Sequence, residues 1–263
     1  MPARPGHRRM LLDASAGVIL ASLFCTSIWW VLFHIDRGLN WGRVWENSEL
    51  LTDGWLLTLA VSAGALPGSC LVAALLIAGS RSRLASLRWA TRGFVEVIRG
   101  MPLLSLILIG YFVFFADDSV RAFLDGIGLG GRLFSGIALL SVFTAAYLSE
   151  ILRGGLDSIP QGQIDSARAV GFDRPQILRY VILPQALRRV LPALAGQFVD
   201  LVKSSSLLSV IGIQEFTNSA KAYNSKTYGG IEAFLMLAAG YLLITLPIAW
   251  FAHWMEKRFR YQM

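Results

Sequence analysis

The chain has 263 residues, of which 55% are apolar and only 16% charged, and its formal net charge is +7. The charged fraction lies below the roughly 25% of soluble domains, and a mean hydropathy of +0.55 excludes an ordinary soluble protein. Because the basic residues fall between apolar segments, we interpret the positive charge as a signal of membrane topology and expect no nucleic-acid partner.

Six apolar segments are long enough, or nearly so, to cross a bilayer, which takes about 20 predominantly apolar residues. In chain order they cover residues 14–35, 54–79, 101–116, 133–149, 190–214 and 233–252. The segments are apolar on every side, which is typical of helices in lipid. We therefore predict an all-α membrane protein with six transmembrane helices in one domain over residues 14–263, preceded by a cytoplasmic tail over residues 1–13.

The first segment follows basic residues and therefore also resembles the start of a cleaved signal peptide. It is long for such a peptide, ends near Trp29 and Trp30, and has no small-x-small cleavage site behind it. Paired tryptophans near a helix end are typical of the membrane interface. We predict that this segment stays in the protein as a membrane anchor.

Arginine-rich and arginine-poor loops alternate along the chain. Five arginines lie in residues 80–100 and six in the loop over residues 153–189, whereas residues 36–53 and 117–132 contain two each. Basic loops of membrane proteins face the cytoplasm. The alternation predicts a multi-pass protein of the bacterial cytoplasmic membrane with both termini in the cytoplasm.

The loop after the fourth segment contains signals for a short helix. Ser158 is of the type that caps a helix, and Pro160 suits a first turn, where a missing N–H has no cost. Gly171 can adopt the left-handed conformation that ends a helix. The spacing predicts a short helix between Ser158 and Gly171 that lies across the membrane surface.

A second, amphipathic helix is predicted directly after the first. Asp173 is a suitable N-cap, Pro175 lies in the first turn, and Gln176 occupies the capping-box position. Leu183-Pro184 is expected to interrupt this helix, because proline lacks an N–H and clashes with the preceding turn. The two helices together would form a rigid protrusion that can transmit a rigid-body movement.

Three features of this loop form one pattern: the triplet Asp165-Ser166-Ala167, Gly171 four residues past it, and the distal Val181-Ile182-Leu183-Pro184. The pattern resembles the EAA loop of ABC-importer permeases, which has Glu-Ala-Ala, the same glycine and Ile-x-Leu-Pro. In that family the loop docks onto the ATPase. The resemblance implies an ATPase-coupling role for Asp165, Ser166, Ala167, Gly171, Leu183 and Pro184.

Three further stretches narrow the resemblance to permeases of polar amino acids. Residues 94–104 contain Glu-x-x-Arg-Gly-x-Pro-Leu, residues 145–155 match the segment leading into the family's loop, and residues 201–207 resemble its Lys-x-Thr-Ser-Leu stretch. The similarity extends over about residues 50–260. It leaves the first segment as an addition to the five-helix core of type I ABC importers.

The resemblance implies a transmembrane permease subunit that is not itself an enzyme. Its expected partners are an ABC ATPase dimer holding ATP and Mg, a second identical or homologous permease, and an extracytoplasmic amino-acid-binding protein. No lysine stands in a G-x-x-x-x-G-K-[ST] phosphate loop and no zinc motif occurs, so we expect no cofactor or metal on this chain. The expected cargo is a polar amino acid, with glutamate, aspartate or glutamine favoured.

Two charges in the fifth segment need an explanation, because a charge at the centre of a membrane helix costs at least about 2.5–3.5 kcal/mol. Asp200 and Lys203 are three residues apart, share a helix face and lie near mid-bilayer. One interpretation is that the pair lines a polar translocation path with Ser204, Ser205 and Ser206. The other is a structural ion pair at the subunit interface.

Glu150 and Arg153 repeat the same spacing at the end of the fourth segment. At a helix end that leads into a loop, we interpret them as a structural pair that braces the loop.

Two other classes of membrane protein fit the sequence less well. A lipid-modifying membrane enzyme would require clustered carboxylates or histidines at the interface, whereas the aspartates here are scattered and only three histidines occur. A secondary transporter would usually contain paired repeats and broken helices, and the two halves of this chain show no repeat.

Overall fold

The computed structural model describes residues 17–23, 25–27, 29–30, 33, 39–126, 128, 131–228 and 230–259, and within these residues it contains helices and no strand. The helices are α1 (Gly17–Ser27), α2 (Trp41–Glu46), α3 (Ser48–Ser80), α4 (Ala85–Gly100), α5 (Leu103–Ile109), α6 (Asp118–Gly126), α7 (Arg132–Asp157), α8 (Gln161–Ala169), α9 (Arg174–Gln176), α10 (Leu183–Ser204), α11 (Phe216–Thr227) and α12 (Gly230–Phe259). The π-helices Gly110–Phe115 and Ile177–Ile182 continue α5 and α9, and a 3-10 helix over Ser205–Ile211 continues α10.

Four described segments are long and apolar enough to cross a membrane: Ser48–Ser80, Arg132–Asp157, Arg174–Ile211 and Ile231–Arg258. A fifth crossing results if α4 and the α5 segment count as one span that is bent by 110°. The all-α membrane architecture is thus confirmed, but the predicted count of six is not. The tail over residues 1–13 and parts of the first predicted segment lie outside the described residues, and the described part of that segment includes α1.

A sharp bend precedes the third predicted segment. Met101 has an extended backbone with ψ 141°, and Pro102 follows it as the N-cap of α5. Since a residue before proline is disfavoured in the helical conformation, α4 ends here. The region before the bend, expected as a loop, is the amphipathic helix α4, whose buried residues are Thr91, Val95 and Ile98.

The helices α3 and α7 pack together through small residues. A Cβ atom on Gly68 would lie 2.5 Å from the Ser141 hydroxyl, which donates a hydrogen bond to the carbonyl of Ala65 at 3.1 Å. Small residues let membrane helices approach closely. The main apolar core surrounds this contact and includes Val61, Ala65, Leu106, Ile107, Leu139, Leu140, Leu208 and Ile211.

Many large apolar side chains point away from this core. Leu71 and Leu75 of α3 and Leu243 and Trp250 of α12 are all more than half exposed. Soluble monomers rarely expose so much contiguous apolar surface, because water makes it unfavourable. These faces therefore belong against lipid or against another membrane subunit.

Candidate functional site

The short helix predicted after the fourth segment is α8, although its start differs from the prediction. The preceding helix α7 extends to Asp157, and Ser158 ends it as the C-cap, with its hydroxyl donating to the Gly155 carbonyl at 2.7 Å. The N-cap of α8 is Pro160, and no side chain caps this helix. Ser158 is therefore not the N-cap of α8, because α7 extends further than predicted and Ser158 is its C-cap.

The end of α8 is the predicted glycine turn. Gly171 has φ +95°, and the N–H groups of Gly171 and Phe172 donate to the carbonyls of Arg168 at 2.9 Å and Ala167 at 3.1 Å. This pair of bonds defines the Schellman motif, which satisfies carbonyls at a helix C-terminus. The left-handed conformation predicted for Gly171 is confirmed.

The second predicted helix also starts as expected, with Pro175 in its first turn. Asp173 accepts from the Gln176 N–H at 2.8 Å, and the Gln176 side chain accepts from the Asp173 N–H at 2.9 Å, which completes the capping box. The interruption predicted at Leu183-Pro184 is wrong. The π-helix Ile177–Ile182 lies directly before Leu183-Pro184 and shifts the hydrogen-bond register. The helical segment therefore continues past Pro184 to Ile211.

One hydrogen bond fixes α8 to α10, and a second joins α10 to the C-cap of α7. The Gln185 amide of α10 donates to the Gln163 side-chain oxygen at 2.6 Å, and the Arg189 guanidinium donates to the Ser158 carbonyl at 2.7 Å. Within α8, Asp165 and Arg168 form an ion pair at 3.0 Å. No residue of α8 is buried, and Ser166 and Asp165 are fully on the exposed side. The helix α8 thus exposes Asp165 and Ser166, while the bond between Gln163 and Gln185 holds it against α10.

Exposed apolar side chains surround the C-terminal end of α8. Val170 is 78% exposed, and Phe172, Leu178 and Tyr180 are also exposed. Such side chains on a loop that faces water indicate a contact surface for another protein.

An ionic network connects α3, α4 and α7 just before α8. Glu150 binds Arg153 at 2.6 Å, as predicted from the spacing, and Arg99 of α4 approaches Glu150 at 3.5 Å. Asp157 binds Arg81 at 2.7 Å and Arg153 at 3.4 Å. Sequence reasoning missed Arg81, Arg99 and Asp157 as partners, because the Arg81–Asp157 pair joins residues 76 positions apart.

The two charges predicted inside the fifth segment do not meet. Asp200 and Lys203 are both exposed, and the ion pairs among the described residues do not include either. The predicted pairing is therefore not observed. Ser205 is buried and bonds the Val202 carbonyl, while Ser204 is half-buried.

Lys203 and Ser206 instead line a cavity of about 360 Å³ next to α11 and α12. The other lining residues are Thr217, Phe234, Leu237, Ala238 and Tyr241. Asp200 is not among them. The cavity combines one ammonium group, three hydroxyl groups and an apolar wall.

A buried carboxyl group lies beside this cavity and was not predicted. Glu215 is fully buried and caps α11 by accepting from the N–H groups of Thr217 at 2.8 Å and Asn218 at 2.9 Å. The Tyr241 hydroxyl donates to it at 3.1 Å. Burial raises the pKa of Glu215, and the two backbone hydrogen bonds oppose that rise. An ionisable residue directly after an apolar segment was the available signal.

The chain is similar to proteins of known families. A model described as "Binding-protein-dependent transport system inner membrane component" matches residues 70–261. The Probable glutamine ABC transporter permease protein GlnM of Bacillus subtilis (strain 168) is 31% identical over 220 residues, which cover 84% of this chain and 98% of that relative. The Octopine transport system permease protein OccM of Rhizobium radiobacter is 34% identical over 222 residues, covering 82% of this chain and 90% of the relative.

A solved structure shares the fold. The crystal structure of an amino acid ABC transporter with histidines has a chain that superposes with a TM-score of 0.73 and 28% identity. The match covers 84% of this chain and 100% of that one.

Proposed function

Because the chain belongs to the family of binding-protein-dependent transport system inner membrane components, we propose that it is the permease subunit of an ABC importer for a polar amino acid. Relatives named for glutamine and octopine transport support this cargo class. The chain is a multi-pass inner-membrane transport subunit rather than an enzyme. Glutamine or an acidic amino acid is the cargo we favour.

The observation that carries the mechanism is the rigid, exposed helix α8. We propose that the exposed Asp165 and Ser166, together with the half-buried Ala167, dock onto an ABC ATPase subunit. The exposed apolar side chains around Val170 and Phe172 suit a hydrophobic groove on such a partner. ATP and Mg would bind to an ATPase dimer, so that this chain contributes only the mechanical contact.

The attachments of α8 explain how movement would reach the membrane. The Gln163–Gln185 bond couples α8 to α10, and the Arg189 contact with Ser158 couples α10 to the end of α7. The ionic network around Glu150 couples the end of α7 to α3 and α4. A displacement of α8 would therefore move several spans together, whereas a flexible loop would absorb it.

The cavity that Lys203 lines is the part of the translocation path that we propose for this chain. A carboxylate of the cargo would be attracted by the Lys203 ammonium, which has no ion-pair partner among the described residues. Ser206, Thr217 and Tyr241 supply hydroxyl groups for the remaining polar atoms. Asp200, Ser204 and Ser205 do not line this cavity, and Asp200 fits better at the surface facing a second permease subunit.

The complete transporter would contain two permeases, identical or homologous, together with the ATPase dimer and an extracytoplasmic amino-acid-binding protein. The exposed apolar faces of the spans support both lipid and permease contacts. The alternation of basic loops supports a cytoplasmic position for both termini.

Reconstitution tests this function. The chain, purified with its ATPase and binding protein and placed in liposomes, should accumulate radiolabelled glutamine or glutamate only with ATP. Lys203→Met should lower uptake, while Lys226→Met on α11, outside the cavity, should not. Uptake driven by a proton or sodium gradient without ATP would identify a secondary transporter instead.

A further inference from the structure

A second cavity, of about 330 Å³, lies between α3, α4 and α7 at the end of these helices that leads into the α8 loop. Its polar lining includes Ser80, Thr91, Arg92, Glu96, Arg99 and Arg153. Neither α8 nor the proposed translocation path lines this cavity, although Arg99, Glu150 and Arg153 at its wall also form the ionic network before α8.

The cavity has an excess of positive charge. Glu150 at its wall is already paired with Arg153 at 2.6 Å and approached by Arg99 at 3.5 Å. Arg92 is exposed and takes part in none of the ion pairs of the described residues, and the same holds for Glu96. With three arginines against two glutamates, the lining has a formal charge of +1, and Arg92 is the arginine of the lining that forms no ion pair with the described residues.

Two observations place the cavity at the depth of the lipid headgroups. The helix α7 has 26 residues and is about 39 Å long, whereas the hydrocarbon core is about 30 Å thick, so its last turns reach the headgroup layer. The cavity is lined by Arg153 from these last turns and by Ser149 about one turn further in.

The helix α4 has the features of a helix that lies in the membrane interface. It is bent by 110° from the apolar segment that follows, and therefore runs across the direction of that span. It exposes Leu87, Trp89, Phe94 and Val97 beside its charged residues. Apolar and tryptophan side chains next to arginines are typical of interfacial helices.

We propose that this cavity binds the phosphodiester headgroup of an anionic phospholipid, with Arg92 as its principal contact. The planar guanidinium matches phosphate oxygens in a bidentate geometry. Basic pockets between membrane helices on the cytoplasmic side are suited to anionic headgroups. A soluble phosphate compound would share the anion chemistry but would leave the exposed apolar side chains of α4 unused, and for this reason a lipid is the better occupant.

The position of α4 would then depend on the lipid. Its contact with α3 is close, because a Cβ atom on Gly79 would lie 2.5 Å from the Thr91 hydroxyl. Its other end contributes Arg99 to the ionic network before α8. A bound headgroup at Arg92 would hold α4 between these two attachments.

Native mass spectrometry of the purified full-length chain tests the proposal. The detergent-solubilised protein is mixed with equal amounts of phosphatidylglycerol and phosphatidylcholine that carry the same acyl chains. The wild type should retain phosphatidylglycerol preferentially. Arg92→Gln should lower that retention about fivefold, which corresponds to the ~1 kcal/mol that one basic residue contributes near an anionic surface.

Two further variants make the result specific. Arg83→Gln removes the same charge from an exposed residue outside the cavity and should change nothing. Glu96→Gln removes a negative charge from the lining and should increase retention, so a folding defect cannot mimic the effect.

Three results would overturn the proposal. Equal losses in Arg92→Gln and Arg83→Gln would mean that only bulk charge attracts lipid. An unchanged Arg92→Gln variant would mean that the cavity holds no headgroup. Displacement of phosphatidylglycerol by equimolar glycerol 3-phosphate would identify a site for a soluble anion, and so would exclude the lipid.

Discussion

Gly171 is a residue at which backbone strain can be separated from side-chain contact. Its φ is +95°, and a Cβ atom built there would meet nothing within 4 Å. Gly171→Val therefore tests the backbone alone and should cost about 1–3 kcal/mol in the turn, because a β-branched residue is strained at positive φ. We expect the turn to open, so that transport and cargo-stimulated ATP hydrolysis fall while membrane insertion persists.

Gly171→Asn is the matched control for this substitution. Asparagine tolerates the left-handed conformation better than valine, so this variant should keep most of the transport and hydrolysis activity. Normal coupled hydrolysis in Gly171→Val liposomes would show that the turn does not position α8.

The buried helix cap Glu215 is expected to stabilise the folded protein. Glu215→Ala would leave the partly buried N–H groups of Thr217 and Asn218 without their acceptor and would remove one partner of the Tyr241 hydroxyl, and should lower the free energy of unfolding by about 1–3 kcal/mol. Glu215→Gln keeps one side-chain oxygen and should cost less. The measurement is thermal unfolding of the detergent-solubilised protein, with Glu46→Ala, an exposed residue, as control. Equal midpoints for Glu215→Ala and Glu46→Ala would contradict the role of this cap.

At the scale of elements, the long apolar helices could be predicted and their ends could not. The span predicted over residues 133–149 continues to Asp157, because Arg153 pairs with Glu150 on one side and Asp157 on the other and so stabilises a charged continuation of α7. The amphipathic α4 and the polar α11 escaped prediction, since neither is a continuous apolar run. Their positions depend on contacts with spans that are distant in sequence.

The close packing of α3 against α7 at Gly68 can be tested by substitution. Gly68→Leu would force a side chain against Ser141 and should destabilise the protein by about 1–3 kcal/mol through overpacking. Gly93→Leu on α4, where a Cβ atom meets nothing within 4 Å, is the control. Thermal unfolding should show a lower midpoint for Gly68→Leu only. Equal midpoints in the two variants would mean that α3 and α7 do not pack at Gly68.

Across the whole molecule, the contacts of the functional site fall into two groups: contacts between neighbours in the sequence and contacts between residues that are distant in it. The capping box at Asp173 and the turn at Gly171 follow from neighbours within a few residues, so the sequence alone predicts them. The Glu215–Tyr241 hydrogen bond and the Arg81–Asp157 ion pair join residues 26 or more positions apart, and no local pattern reveals these two contacts. The spacing of Asp200 and Lys203 suggested a pair that their side chains do not form, because this spacing permits an ion pair but does not require one.

The topology of the molecule is testable by labelling in intact cells. In a background without the free cysteines Cys25 and Cys70, Ser225→Cys on α11 should react with an impermeant thiol reagent added outside. A cysteine replacing Lys257, near the C-terminus, should react only after the cells are opened, because the alternation of basic loops predicts a cytoplasmic C-terminus. Outside labelling at residue 257 would reverse the orientation.

Crosslinking directly measures the proposed contact between α8 and the ATPase. Ser166→Cys, in the same cysteine-free background, should form a crosslink with the ATPase subunit through a short thiol-to-amine reagent in the assembled transporter. Ser119→Cys, equally exposed but on α6, should form none. Crosslinking from Ser166→Cys alone is the predicted result, whereas crosslinking from Ser119→Cys with none from Ser166→Cys would contradict the proposed coupling helix.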